Sequence, residues 1–119
     1  FKQSDKKTTQ EKLEDAFFQA EKRALANFND GSTAVVAYID ENNVLHLAWA
    51  GDSRAVLERN QTVEYETKDH DVLNPREVER IEAHNLVIKG QHISHIGKTR
   101  WLAMSRSIGD CKHKSITPE

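Results

Sequence analysis

Asp52 is the residue of this chain best placed to do chemistry. It follows Gly51, and a carboxylate after a glycine at a strand bend projects at a sheet edge, where a hard cation binds through oxygen ligands. The same spacing allows a structural role, in which Asp52 pairs with Arg54 or Arg106 or accepts turn amides, as lone acids commonly do. Ser105-Arg106 and Gly109-Asp110 form a second group. A serine attacks only with an activating base beside it, and the sequence around Ser105 offers none, so a hydrogen-bonding core role is expected. Arg106 has the fork that clamps phosphate oxygens; its structural alternative is to pin carbonyls and Asp52 or Asp110. His92 and His95 have H-x-x-H spacing with His84 not far off, but zinc needs three or four ligands in defined geometry. One cysteine and no nearby acid do not complete such a set, so exposed loop histidines are expected. Trp49 and Trp101 are read as core or flap anchors, since aromatic side chains dominate core energetics.

These residues must be positioned by helices and strands. Residues 1–7 are polar and expected to fray. Thr8-Thr9-Gln10-Glu11 reads as a capping box, followed by Leu13, Ala16, Phe17, Ala20 and Ala24 at helical spacing. Glu11, Lys12, Glu14, Asp15, Glu21 and Lys22 fall on the other faces. Asn27 to Gly31 stops this helix, with Asn29-Asp30-Gly31 as a turn signal. Ala34 to Ile39 is apolar on both faces, which predicts a strand covered on both sides. Glu41-Asn42-Asn43 turns the chain, and Leu45, Leu47 and Trp49 alternate with His46, Ala48 and Ala50, giving a hairpin. Gly51 breaks the pattern, Ser53 to Leu57 resumes it, and Arg59-Asn60-Gln61 turns before Val63 and Tyr65. Three or four consecutive antiparallel strands follow. Asn74 caps a second helix with Pro75 at its first position and Glu77 at its third. Val78, Ile81 and the stem of Glu82 form its buried face, and Asn85 is its C′ residue. Residues 86–100 show no clean period: Ile88, Ile93 and Ile96 are interrupted by Gly90, His92, His95 and Gly97, which predicts a mobile excursion.

A length of 119 residues fits one domain, and 37% apolar with 30% charged residues suits a modest core. The net charge of −2 argues against a nucleic-acid surface. Lys2, Lys6, Lys7, Lys112 and Lys114 lie at the ends without interleaved aromatics, which argues the same way. No apolar run approaches the length of a membrane span. The single Cys111 forms no internal disulfide and suits a reducing compartment, and so an intracellular location, cytoplasmic or nuclear. Starting on Phe1, without an initiator Met or an apolar signal core, favours a piece of a longer chain.

Six segments, taken together, resemble the metal-dependent protein serine/threonine phosphatases of type 2C. The middle section of that family runs Gly-Ser/Thr-Thr-Ala, Gly-Asp-Ser-Arg, Asp-His, Glu-x-x-Arg-Ile, Leu-Ala-x-Ser-Arg-x-x-Gly-Asp and Pro-Glu. The chain carries these in the same order at Gly31 to Ala34, Gly51 to Arg54, Asp69-His70, Glu77 to Ile81, Leu102 to Asp110, and Pro118-Glu119. The resemblance implies an α+β fold, an antiparallel β-sandwich flanked by helices, of which residues 1–119 would be a partial catalytic domain: a central helix, a β-meander and a flap-like segment at 86–100. It implies that Asp-Gly-His-Gly-Gly, which holds the metal pair, precedes Phe1, and that Asp-Gly-x-Trp-Asp and Asp-Asn follow Glu119.

The implied reaction is hydrolysis of phosphoserine and phosphothreonine, with two Mg²⁺ or Mn²⁺ ions activating a water. Asp52 would then contribute to an additional, third metal site. No catalytic residue is expected in this segment. Gly51, Ser53, Arg54, Ser105, Arg106, Gly109 and Asp110 would be structural, because the family attacks with metal-bound water and its phosphate-binding arginine belongs to the preceding part. The family's Asp-His pair anchors the next connection, which assigns Asp69-His70 a structural role. The implied partners are a phosphoprotein substrate and the rest of the catalytic domain, with no nucleic acid and no membrane; the segment alone is expected to be inactive. Two departures stand out: Asn85-Leu86 replaces a common Gly-Gly pair, and Gly97-Lys98-Thr99-Arg100-Trp101 replaces the Arg-Val-Asn-Gly lead-in. Both bear on substrate preference and leave the fold assignment intact. A non-catalytic phosphatase-like binding or regulatory module and a histidine-based metal-binding domain are the alternatives.

Overall fold

The computed structural model of the chain describes residues 7–110; Cys111, Pro118-Glu119 and the other terminal lysines of the sequence reading lie outside this range, although Lys7 lies within it. Helix α1 spans Thr9–Asn27 and begins at the expected capping box. The Glu11 amide donates to Thr8 Oγ1 at 3.2 Å, and Glu11 Oε2 accepts from the Thr8 amide at 2.8 Å. The helix ends where the Phe28 amide reaches the Ala24 carbonyl. Its buried stripe is narrower than expected: Leu13 and Phe17 are buried, Ala20 and Ala24 half-buried, and Ala16 exposed.

Two short strands lie far apart in sequence and pair with each other. β1, Gly31–Ser32, is antiparallel to the last strand of the fold, Ile108–Gly109, with Gly31 opposite Gly109. Gly31 therefore belongs to a strand rather than to the expected turn. A Cβ there would overlap the Asp110 carboxylate, so the glycine is needed for close approach.

β2, Ala34–Ile39, and β3, Leu45–Ala50, form the predicted hairpin in full register from Ala34↔Ala50 to Ile39↔Leu45. Asp40 organises its turn. Oδ1 accepts from the amides of Asn42 and Val44, both at 2.9 Å, while Asn43 takes a positive φ of 59°. The expected cover on both faces of β2 is not supplied by the described residues. Val35 is 38% exposed, Val36 39% and Ile39 65%.

Strand pairing resumes only at Val56, not at Ser53. β4, Val56–Arg59, pairs with β5, Thr62–Glu66, through a turn with positive φ at both Asn60 and Gln61. Residues 53–55 are bonded elsewhere: Ser53 Oγ meets Thr33 Oγ1 at 2.7 Å, and the Ala55 amide donates to Thr67 Oγ1 at 3.0 Å. The expected meander is thus two separate hairpins. Helices with exclusively antiparallel pairs give the α+β class, but within the described residues the strands pair two by two and do not complete stacked sheets.

Helix α2, Pro75–Ala83, starts as the sequence predicts, with Asn74 accepting from the Arg76 amide and Pro75 in the first turn. Asn85 follows its cap with φ 56°. Ile81 is fully buried and Val78 half-buried, but Glu82 is exposed; Glu77 occupies the buried face instead. Residues 86–100, expected to be an excursion without regular structure, contain a hairpin. β6, Leu86–Lys89, pairs with β7, His92–His95, and Ile93 forms a further bridge to Leu102. Leu86 and Ile93 join Ile81 in a buried cluster, with Val72 and Ile88 packed against it. Four-residue strands are too short to show a period, which is why the pattern looked irregular. The closing strand, Ile108–Gly109, is β8.

Gly51 swings the chain out of β3 with φ 108°, and a Cβ at this position would overlap the methyl of Thr33. Gly51→Ala combines a backbone conformation reserved for glycine with overpacking, and is expected to destabilise the chain by about 3 kcal/mol. Urea unfolding followed by circular dichroism measures this; an unchanged midpoint contradicts it.

Candidate functional site

Glu77 is the buried centre toward which the sequence motifs converge. Its side chain is 3% exposed, and it sits in the first turn of α2 with Arg80 one turn further on the same face. Arg106 grips the carboxylate, donating from Nη2 to Oε1 at 2.6 Å and from Nε to both oxygens at 3.0–3.1 Å. Ser105, fully buried, donates from Oγ to Oε2 at 2.5 Å. Arg80 Nη2 bonds Oε2 at 3.0 Å and the Ser105 carbonyl at 2.5 Å. Burial alone would raise the carboxyl pKa. The hydrogen bonds from Arg106, Ser105 and Arg80 outweigh it and hold the group at about 2. A carboxylate that acidic is a poor general base at neutral pH. Ser105 is buried and hydrogen-bonded, the placement a core role calls for. Arg106 is engaged by Glu77 rather than by Asp52 or Asp110.

Asp69-His70 ties this centre to the Gly51 bend. Arg54 forks onto Asp69 at 2.9 and 3.0 Å and lies 3.6 Å from Glu66. Its hydrogen bonds keep the Asp69 carboxyl below the usual range. The Gly51 amide donates to His70 Nδ1 at 3.1 Å, and the His70 amide returns a bond to the Gly51 carbonyl at 3.0 Å. The His70 carbonyl then accepts from the Ser105 amide at 2.8 Å. Trp49 stacks on the imidazole at 5.9 Å and anchors its indole N–H on the Lys68 carbonyl. Burial, reinforced by the Arg106 charge, lowers the His70 pKa. A neutral ring is what its Nδ1 acceptor role requires. Trp101, by contrast, is 38% exposed and anchors no core.

Gly109 and Asp110 close a third contact. Glu21, expected on the polar side of α1, accepts from the Gly109 amide at 2.6 Å. Asp110 accepts from Ser107 Oγ, and its amide donates to the Asp30 carbonyl at 3.2 Å.

Asp52 stands apart. Its neighbours are pinned, yet the residue is exposed, and Arg54 and Arg106 are engaged by other carboxylates. Among the described residues no three His, Cys, Asp or Glu side chains gather into a metal-holding group. One carboxylate does not hold a metal pair, so these residues alone do not fit a binuclear centre. The H-x-x-H histidines are not convergent either. His92 and His95 fall on opposite faces of β7, and His84 Nδ1 lies against the Arg80 carbonyl. The sequence reading missed Glu77 as a centre. Its signal was Glu-x-x-Arg-Ile at helical spacing, which puts two opposite charges beside a buried Ile81.

A family model described as protein phosphatase 2C matches residues 1–119. The chain is 37% identical to human probable protein phosphatase 1N over 115 residues, covering 93% of this chain and 25% of that protein. It is 37% identical to human protein phosphatase 1B over 100 residues, covering 77% of this chain and 20% of that protein. It is 48% identical to probable protein phosphatase 2C 68 of Oryza sativa subsp. japonica over 81 residues, covering 67% and 22%. The chain thus spans a quarter or less of the length of these relatives.

Glu77→Gln leaves two guanidinium groups facing a neutral amide, and breaking a buried pair in this way costs about 3 kcal/mol. Two windows of acid sensitivity are expected in the parent sequence. The lowered His70 pKa means the unfolded chain takes up the proton first, so stability is full above 6.5 and falls as pH drops below it. Glu77 contributes stability above 4.5 that is lost as pH falls toward 2. Urea midpoints across this pH range should lose the lower window in Glu77→Gln and the upper one in His70→Asn. Coincident profiles for all three proteins would rule the network out as the source.

Proposed function

Because the chain belongs to the protein phosphatase 2C family, we propose that it is a segment of a protein serine/threonine phosphatase that hydrolyses phosphoserine and phosphothreonine in phosphoproteins. The observation that carries this reading is that the five resembling segments within the described residues are one another's contact partners. Glu77 and Arg80 bind Ser105-Arg106, the Gly51 bend binds His70, and Gly31 pairs with Gly109. Such mutual contacts make the segments a single folding unit rather than chance tetrapeptides.

Two Mg²⁺ or Mn²⁺ ions supply the activated water in this chemistry. No step is assigned to the residues described, which serve to fix a scaffold. Asp52 is proposed as one oxygen ligand of an additional ion, held at a bend whose backbone is locked through His70. Residues 1–119 are proposed as part of a catalytic domain, with 86–100 as the flap-like segment that influences substrate choice. The rest of that domain is the proposed partner for the exposed faces of Val35, Val36 and Ile39 and for a groove of about 660 Å³ between α1 and β3, floored by Leu13, Phe17, Leu47 and Trp49. The proposed location is intracellular, in cytoplasm or nucleus; among the described residues no helix is long and apolar enough to cross a membrane. A non-catalytic phosphatase-like module is the second reading, favoured by the lone position of Asp52.

The 119-residue chain alone is expected to show no chelator-sensitive turnover of a phosphopeptide with excess Mn²⁺. Turnover comparable to a complete enzyme of this class would contradict the segment reading. In a complete parent protein, Asp52→Asn should raise the Mn²⁺ needed for half-maximal turnover by about tenfold while leaving the melting temperature in place, since the change removes charge and keeps size. A sharp loss of stability with an unaltered Mn²⁺ response would make Asp52 structural.

A further inference from the structure

The β6–β7 hairpin and the loop after it carry a single sign of charge. Between Glu82 and Asp110 the sequence contains no Asp or Glu, yet it contains Lys89, Lys98, Arg100 and Arg106. The whole chain has 19 acidic against 17 basic residues, so this stretch runs against the overall balance. Arg106 is consumed by Glu77. Lys89, Lys98 and Arg100 are exposed and enter no ion pair among the described residues, whereas the exposed Arg54 and Arg59 each meet a carboxylate.

The backbone that presents these cations is held in place. Lys89 closes the β6–β7 ladder opposite the exposed His92. The Lys98 amide donates to the His95 carbonyl at 3.0 Å, and Ser94 Oγ donates to the Arg100 carbonyl at 2.6 Å. Ile93 and Leu102 exchange two backbone bonds at 2.8 and 2.9 Å, which closes the loop between them. Exposed Ile96 and Trp101 flank the charges. A ligand of opposite charge therefore meets cations whose backbone is already hydrogen-bonded, which lowers the cost of ordering them.

We propose that this hairpin and loop bind an acidic peptide segment, the Asp- and Glu-rich flank of a phosphoprotein. That the segment belongs to a phosphoprotein rests on the function proposed above; the acidic-peptide preference does not. Complementary charge favours a short polyanion, and the small number of cations favours a peptide over nucleic acid. Three phosphate contacts give only a shallow counterion-release gain, and this stretch offers one indole rather than a row of stacking rings.

The test titrates a labelled, unphosphorylated peptide of alternating Asp and Ser into the 119-residue chain, with a Lys-Ser peptide as control. The acidic peptide should bind more tightly, and more weakly at high salt. Lys89→Gln with Lys98→Gln and Arg100→Gln should weaken it about tenfold. Lys98→Glu with Arg100→Glu should transfer the preference to the Lys-Ser peptide. Equal binding of the two peptides, or unaltered binding by the triple variant, overturns the proposal. So does tighter binding of an oligonucleotide of equal charge, or of anionic vesicles. In a complete parent, the Lys98→Glu/Arg100→Glu variant should lower kcat/KM for acidic-flanked phosphopeptides relative to neutral ones. Active hydrolysis with an unaltered ratio overturns this proposal alone. A parent with no phosphatase activity but intact peptide binding overturns the functional reading alone.

Discussion

One buried carboxylate holds α2 and the Ser105-Arg106 segment of this structure together. Glu77 brings a formal charge into an almost inaccessible position, and a lone charge there would be prohibitively costly. Its presence obliges α2 to bring Arg80 and the chain after β7 to bring Ser105 and Arg106. Once Ser105 is placed, its amide fixes the His70 carbonyl, and His70 fixes Gly51. The geometry of the bend carrying Asp52 is thus set through a relay of hydrogen bonds that begins a helix away. A hydrophobic cluster of similar size would be as stable, but it would not specify which segment sits beside which.

Local signals were legible in the sequence and long-range ones were not. The Thr8–Glu11 capping box, the Asn74-Pro75 start and the Asn60-Gln61 turn each depend on residues within a few positions, and each forms as read. The β2–β3 hairpin was readable because alternation over Leu45 to Ala50 is long enough to show. By contrast, Glu77 was read as a helix-start residue because its partners lie nearly thirty positions away. Arg106 was expected to face Asp52 or Asp110 and instead faces Glu77, since sequence spacing does not choose among carboxylates. The β6–β7 hairpin within 86–100 was not legible because its two four-residue strands are separated by glycine and interrupted by histidines. The family resemblance, resting on six short segments in order, was legible throughout and matches the family model across the chain.

The same distinction separates the scaffold from the candidate site. Gly51, Ser53, Arg54, Ser105, Arg106, Gly109 and Asp110 each find a partner within the described residues. Asp52 is carried by them and bonds to none of them. A residue kept exposed on a bend held by so many interactions has its backbone position determined while its carboxylate stays outside the hydrogen-bond network.

The pairing of Gly31–Ser32 with Ile108–Gly109, reinforced by Glu21 on the Gly109 amide, spans most of the chain. It consists of two residues on each side, so it closes a very long loop for very few bonds. Closure entropy must be met before those bonds return anything, whereas the β2–β3, β4–β5 and β6–β7 hairpins close over a few residues each. Closure entropy thus weighs most on the seam between α1 and β8 and least on the hairpins, so the seam is the contact whose bonds return least for the length of chain they close.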